Sequence, residues 1–335
     1  MRILATGPSG SPEDLAPLRE GGHEVIIGRP LDTPGRKAYT ESELVAAASD
    51  VHVILASHLE TISGPVLEAA RNVKLVIVPF IGTDKIDIGA ATRAGVLVAN
   101  SPTPENFIAV AEATIALTLM LQKRVKHNEA KLRRGEWAQR GDRGEFLFGK
   151  TVGLVGLGRV GTHVARRLVN WDTRLIASDP YVSAERAHEL GVTLTDLPTL
   201  LAESDVVSLH CTLTDETRGL IGEKELRRMK PTAVLINTAR GEVMDEEAVA
   251  RAIDERWIAG AAIDAFVKEP LQADSPLRTA DPERVILTPH NISHSEAGRR
   301  ANLALALSQI LAVGRGEVPA HVVNPEAIAR WRRTP

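Results

Sequence analysis

Cysteine is nearly absent from this 335-residue chain, and so is any excess of one charge. Cys211 stands alone, which excludes an internal disulfide framework and suits a reducing, cytoplasmic setting. The 40 basic and 43 acidic residues leave a formal net charge of -3 and are scattered throughout, so no basic stripe is on offer to nucleic acid or to an anionic membrane. No apolar run is long enough to span a bilayer: the longest, Phe107 to Leu121, carries Glu112 and reads as a buried helix, with a subunit contact as one use for it. At the start, Met1-Arg2 leads straight into Ile3-Leu4-Ala5, too short for the apolar part of a secretory signal and more like a first strand. What remains is a chain with 44% hydrophobic residues, ordinary for a globular protein and long enough for two domains. A small molecule is the partner this composition favours, and no metal is called for.

The stretch Thr151 to Pro180 is where the chain shows its chemistry. An apolar run, Val152 to Val155, leads into Gly156-Leu157-Gly158-Arg159-Val160-Gly161; Val160, Val164, Leu168 and Val169 then recur at helical spacing, and Arg174 to Ser178 forms a second strand closed by Asp179. In a strand-turn-helix of this kind Gly156 permits the tight turn. Gly158 lets backbone N–H groups approach a pyrophosphate at the helix N-terminus, and Gly161 allows close helix–strand packing. G-x-G-x-x-G alone is a weak signal; the flanking strand and helix, and an acid eighteen residues beyond Gly161, make it a dinucleotide site. Asp179 would hydrogen-bond the adenine ribose and repel a 2′-phosphate, and no Arg follows it in Pro180-Tyr181-Val182-Ser183, so NAD is favoured over NADP.

Strands are expected at Arg2–Thr6, Glu24–Ile27, Val51–Ala56, Lys74–Val78 and Val96–Val98, separated by helical stretches such as Glu41–Ala48. Gly7-Pro8-Ser9-Gly10 is read as ordinary turn chemistry, because Pro lacks the N–H a phosphate loop needs. Asn100-Ser101-Pro102-Thr103-Pro104 is a break that looks like a hinge, followed by a long helix over Phe107–Arg124 and a charged stretch from Lys123 to Arg143. Strands return at Leu175–Ser178, Val192–Leu194, Val206–Leu209, Ala233–Asn237, Ile258–Ile263 and Val285–Leu287, and the chain closes with an amphipathic helix over Ser295–Val313. The expected fold is α/β: two doubly wound parallel-sheet domains, a Rossmann NAD-binding domain over 100–289 inserted into a flavodoxin-like substrate domain made of 1–99 and 290–335, with a cleft between them. Gly144 to Thr151 also fits G-x-x-x-x-G-K-T, but a phosphate loop must follow a strand and open a helix. Here charged residues precede it and a strand follows, so the match is rejected.

Three polar residues sit just past strand-like runs: Arg240 after Ala-Val-Leu-Ile-Asn, Glu269 after Ala-Ala-Ile-Asp-Ala-Phe, and His290 after Val-Ile-Leu-Thr-Pro. Singly, each has a dull explanation as a solvated Arg, a Glu-Pro turn and a loop His. Ligands of open parallel sheets bind beyond the carboxyl ends of the strands, so these loops border the same crevice as the glycine turn. Together they supply a hydride-transfer site. His290 can move a proton between hydroxyl and carbonyl forms of a substrate; Glu269 would favour the protonated imidazole and fix its tautomer; Arg240 offers a planar fork for a carboxylate. Arg, acid and base thus define a 2-hydroxy or 2-oxo acid as substrate.

With these residues in view, the chain resembles the D-isomer-specific 2-hydroxyacid dehydrogenase family essentially from end to end. The pieces that carry the resemblance are Gly149 to Gly161, Asp205-Val-Val-Ser-Leu-His210, Asn237-Thr-Ala-Arg-Gly241, Asp264-Ala-Phe-Val-Lys-Glu-Pro270 and Thr288-Pro-His290. The resemblance implies that Arg240 holds the substrate carboxylate, that Glu269 and His290 form the proton relay, and that Asp264 contacts the nicotinamide carboxamide. It also places Arg159 and Val160 on the pyrophosphate, has His210, Thr212, Thr217, Thr238 and Ala239 line the cofactor, and implies a homodimer built through the nucleotide domain.

Departures bear on substrate choice. The family's substrate loop commonly has two glycines ahead of Asp-Asn-Val-Asp, whereas this chain has Pro79-Phe80-Ile81-Gly82-Thr83-Asp84-Lys85-Ile86-Asp87. Phe80, Ile81 and Gly82 are the candidate substrate contacts, and a bulky Phe beside an N–H-less Pro suggests a more apolar pocket. Thr212 stands where Pro is usual, and His294 follows the candidate acid, with a capping or surface role favoured for it. The leading reading is an NAD-dependent reductase of a small 2-oxo acid such as glyoxylate or hydroxypyruvate. The alternatives are a phosphoglycerate or phosphite dehydrogenase on the same scaffold, or a non-catalytic NAD-binding regulator of the corepressor type. Formate dehydrogenases of this superfamily carry Gln where Glu269 stands, which argues against that chemistry.

Overall fold

Runs rich in Val, Ile and Leu become twelve strands in the computed structural model, which describes residues 1–8, 11–31 and 33–331. Ser9 and Gly10 of the first turn lie outside the described residues. The strands fall into two sheets, and every ladder pairing in both is parallel. The chain divides into two compact units, Met1–Asn106 together with the segment from Ser295 on, and Phe107–His294.

In the first unit, β1 (Arg2–Ala5), β2 (Glu24–Ile27), β3 (Val53–Leu55), β4 (Leu75–Ile77) and β5 (Leu97–Ala99) lie in the order β2-β1-β3-β4-β5, the flavodoxin-like arrangement. Residues alternate across the sheet, so Leu4, Ile54, Val76 and Val98 face one apolar layer while Ile3, Val53, Leu75 and Leu97 face the other. The second layer is closed by the C-terminal helix Glu296–Gly314 through Ala306, Leu307 and Ile310. Sheets covered on both faces read as continuous hydrophobic runs, which is why β3, β4 and β5 are buried at every position. Past that helix, the fully buried Asn324 side chain completes the sheet edge: its Oδ1 accepts from the Val98 N–H at 2.8 Å and its Nδ2 donates to the Val96 carbonyl at 3.0 Å.

The second unit carries β6 (Thr151–Val155), β7 (Arg174–Ser178), β8 (Val192–Leu194), β9 (Val206–Leu209), β10 (Val234–Asn237), β11 (Gly260–Ile263) and β12 (Val285–Leu287). Their order, β12-β11-β10-β9-β6-β7-β8, reverses direction at β6, so the crevice beyond β6 and β9 is the topological switch point where doubly wound sheets take ligands. Helices are started by side-chain caps: Asp196 accepts from the Thr199 N–H, Asp245 from those of Glu247 and Ala248, and Ser295 from Gly298. Gly149 and Lys150 sit in a turn that runs directly into β6, so the G-K-T match opens a strand and not a helix.

Several expected spans shorten by a residue or two at the ends, as at Val51–Ala56, where only Val53–Leu55 enter the ladder. Two expectations need correcting. Val169, counted with the apolar stripe of the helix Arg159–Leu168, is 42% exposed, because it follows Leu168 by 100° and turns off the buried face formed by Gly161, Val164, Ala165 and Leu168. The apolar helix Pro104–Gln122 is not wholly buried: 39% of its most apolar window is, among them Ala111, Ile115 and Leu117. It is the one helix among the described residues long and apolar enough to cross a membrane, and those three side chains pack into the second unit's core.

Candidate active site

The loop leaving β6 is shaped by what its glycines touch. Gly156 has φ +97, a left-handed conformation that costs an L-residue about 1–2 kcal/mol. A Cβ there would lie 2.8 Å from the Cys211 nitrogen, and one on Gly161 would lie 2.3 Å from the Gly156 carbonyl oxygen. Both glycines are therefore demanded by the protein's own packing. Gly158 differs, for a Cβ would meet nothing within 4 Å. It is also the N-cap of the helix Arg159–Leu168 and supplies no side-chain cap, so no side chain of its own occupies the space beside the helix's first turn. An uncapped helix N-terminus with room in front of it fits a pyrophosphate. The Arg159 guanidinium rests 5.1 Å from the centre of the Phe107 ring.

Asp179, at the end of β7, accepts from the Leu157 N–H at 2.7 Å through Oδ2 and from the Tyr181 N–H at 2.9 Å through Oδ1. A carboxylate has about four acceptor positions, so two are left for ribose hydroxyls. Across the switch point, the ring Nε2 of His210 lies 2.9 Å from the Ser208 hydroxyl, and burial lowers the imidazole pKa to about 4. Burial raises the adjacent Cys211 thiol to about 11, which makes it an inert packing group. Thr217 donates its hydroxyl to the Thr212 carbonyl at 2.6 Å, closing the turn that carries both. The Thr238 hydroxyl meets that of Thr114 at 3.0 Å, tying the loop after β10 to the helix Pro104–Gln122.

Three loops at the carboxyl ends of the neighbouring strands β10, β11 and β12 carry the candidate chemistry. The buried Asn237 shapes the Arg240 turn, accepting from the Ala239 N–H at 3.0 Å and donating to the Arg240 carbonyl at 2.9 Å. Glu269 accepts the Phe266 N–H at 3.1 Å, and the same Oε1 lies 2.7 Å from His290 Nδ1. Both side chains are about two-fifths exposed, so this pair adds at most about 1 kcal/mol to stability. Its consequence is geometric: with Nδ1 held by Glu269, Nε2 is the atom available for proton exchange. His290 itself has φ +52, unusual for a non-glycine residue. The turn is held by Asp264, 4% exposed, whose Oδ1 accepts from the Thr288 hydroxyl at 2.6 Å and the Asn291 N–H at 3.1 Å.

Sequence reasoning missed the clamping by Asp264 and the service of Asn237, though both residues sit inside recognised pieces. Of the capping or surface role favoured for His294, the structure gives the cap to Ser295 and places His294 on the surface. His294 is exposed, and desolvation, followed by the neighbouring charge of His290, lowers its pKa. In the first unit Phe80 packs against the core and meets the His58 ring edge-on at 6.5 Å. The Phe80 carbonyl accepts from the Ser101 N–H, and that of Ile81 from the Asn100 side chain; Gly82 follows in the same loop after β4.

Comparison with known proteins shows the family. Residues 115–291 match the model of the D-isomer specific 2-hydroxyacid dehydrogenase, NAD binding domain. A glyoxylate reductase of Thermofilum pendens is 38% identical over 314 residues, which cover 91% of this chain and 89% of that one. A D-3-phosphoglycerate dehydrogenase of Archaeoglobus fulgidus is 35% identical over 98% of this chain, which spans 60% of its length. Among solved structures, the TT0316 protein from Thermus thermophilus superposes with a TM-score of 0.86 at 32% identity, covering 96% of this chain and all of that one.

Two outcomes are expected. Gly158→Ala leaves thermal melting unchanged yet weakens NADH binding at least about tenfold, ~1.4 kcal/mol, in a fluorescence titration; Gly156→Ala lowers the melting temperature as well. Equal melting loss in both would show that Gly158 serves packing alone. The depressed His210 pKa means the unfolded state takes up a proton that the folded state refuses. Stability from this group is therefore present above about pH 6.5 and is lost as pH falls towards 4, with a slope of at most about 1.4 kcal/mol per pH unit. Urea unfolding across that range should be flatter for His210→Gln, and parallel curves would refute the assignment.

Proposed function

We propose, since this chain belongs to the D-isomer specific 2-hydroxyacid dehydrogenase family, that it works as an NAD-dependent reductase of a small 2-oxo acid of the glyoxylate or hydroxypyruvate type. The observation that carries this reading is the 2.7 Å contact of His290 Nδ1 with Glu269, set on loops next to that of Arg240. Glu269 stabilises the imidazolium, and His290 Nε2 delivers a proton to the substrate carbonyl oxygen as it becomes a hydroxyl. Arg240 takes the substrate carboxylate in its guanidinium fork, which orients the 2-oxo carbon and draws electron density from it. The Gly156–Gly161 turn and Asp179 would hold the nicotinamide cofactor, which as NADH would supply the hydride. Phe80, Ile81 and Gly82 are assigned to substrate contact, and Asp264, His210, Thr212, Thr217, Thr238 and Ala239 to the cofactor.

A phosphorylated 3-carbon acid is the second reading, favoured by the Archaeoglobus fulgidus relative. We also propose a homodimer. Leu132, Trp137, Phe146 and Phe148 are 61%, 80%, 71% and 69% exposed within one short stretch of the second unit, more apolar surface than a lone monomer usually leaves in water.

NADH oxidation should be seen with glyoxylate or hydroxypyruvate and more weakly with 3-phosphohydroxypyruvate. Tight NADH binding without turnover across such a panel would favour the regulator. His290→Ala is expected to lower kcat by about 10²–10⁴ while sparing NADH affinity. Arg240→Ala should chiefly abolish substrate use. Reduction needs the imidazolium, so removing its anionic neighbour in Glu269→Gln moves the fall in rate to lower pH; an unmoved profile takes Glu269 out of the relay. For the assembly, sedimentation should give a dimer that Phe146→Glu with Trp137→Glu converts to monomer, and a monomeric parent protein would dispose of the proposal.

A further inference from the structure

Glu269 can serve His290 only if its loop is held, and the holding groups lie outside the loop. Phe266 anchors one end in the core, and its N–H donates to Glu269. The next N–H, on Val267, donates to Glu246 Oε1 at 2.7 Å. Glu246 is the first residue of the helix Glu246–Asp254, whose N-terminus suits an acidic side chain. Below the same peptide lies Gly241: a Cβ there would be 2.0 Å from the Phe266 carbonyl carbon and 2.2 Å from the Val267 nitrogen, so the Arg240 and Glu269 loops touch backbone to backbone. Two successive N–H groups are thus held by two different carboxylates, Glu269 within the loop and Glu246 outside it. The two N–H groups belong to adjacent peptide planes hinged at the Phe266 Cα, so releasing the Val267 N–H lets the 266–267 plane turn about that hinge and moves the chain that reaches Glu269 two residues further on.

We infer that Glu246 is a positioning residue for the reaction: by holding the Val267 N–H it fixes the 266–267 peptide, and through it the placement of Glu269 against His290. This rests on the proton relay proposed above. Glu246 is partly exposed, so its substitution leaves the core intact. In Glu246→Ala, kcat for 2-oxo acid reduction should fall roughly tenfold, since a shift of order 1 Å in a reacting group can cost about a hundredfold. The fall in rate with pH should move lower, as in Glu269→Gln, while NADH affinity, the substrate KM and melting stay put. Glu246→Gln, which keeps an acceptor oxygen, should restore both kcat and pH profile. Adding Glu246→Ala to Glu269→Gln should change nothing further, as expected for residues acting in series. A kcat and pH profile unaltered in Glu246→Ala, a loss that Gln does not rescue, or an additive loss in the double variant each overturns the inference. NMR titration of the His290 ring in the resting protein needs no turnover: a shift to lower pH in Glu246→Ala supports the inference, and an unmoved titration refutes it. A parent protein inactive on every 2-oxo acid would refute the functional reading and leave this test standing.

Discussion

The buried carboxylate of Asp264 holds the candidate site together. It lies at the end of β11, and its Oδ1 gathers the Thr288 hydroxyl and the Asn291 N–H from the loop after β12. A carboxylate 4% exposed to water is tolerable only when hydrogen-bonded, and hydrogen bonds to a charged group contribute about 1.5–3 kcal/mol each. That is enough to keep His290 at φ +52, a conformation such a residue adopts only when its surroundings over-determine it. The strain is local and aims the imidazole at Glu269.

This arrangement depends in turn on the strands running one way. In the order β12-β11-β10-β9-β6 the carboxyl ends of five neighbouring strands share an edge. Loops starting at Thr238, Asp264 and Thr288 therefore emerge together, although Arg240 and His290 are far apart in the chain. The same edge holds the Gly156 turn, whose glycines divide their labour. Gly156 and Gly161 are small because protein backbone is close, and Gly158 is small where the protein itself leaves room. That open space beside the N-terminus of the helix Arg159–Leu168 sets Gly158 apart from the two glycines that packing demands.

Much was legible in the linear order of residues. The spans of β2, β7, β8, β9 and β12, the helix Glu41–Ala48, the glycine turn and Asp179 all follow from patterns a few residues long, and β-branched runs, caps and glycines act at that range. The five recognised pieces added the family, while NAD already followed from the glycine turn and Asp179. Misreadings came where a local rule met a neighbour from elsewhere. Val169 continues the apolar series but turns into solvent, because the helix rotates it off the buried face.

The sequence by itself determined the alternation of strand and helix, the parallel sheets and the chemical types at the strand ends, because each is written in short-range periodicity and in single residues with strong preferences. Only the tertiary structure decided that Asp264 is spent on the His290 loop, that Gly241 lies under the Phe266–Val267 peptide, and that Glu246 holds it from the side. Those contacts join residues more than twenty positions apart. Which of many carboxylates meets which N–H is set by strand order and register, and no short stretch of chain encodes either.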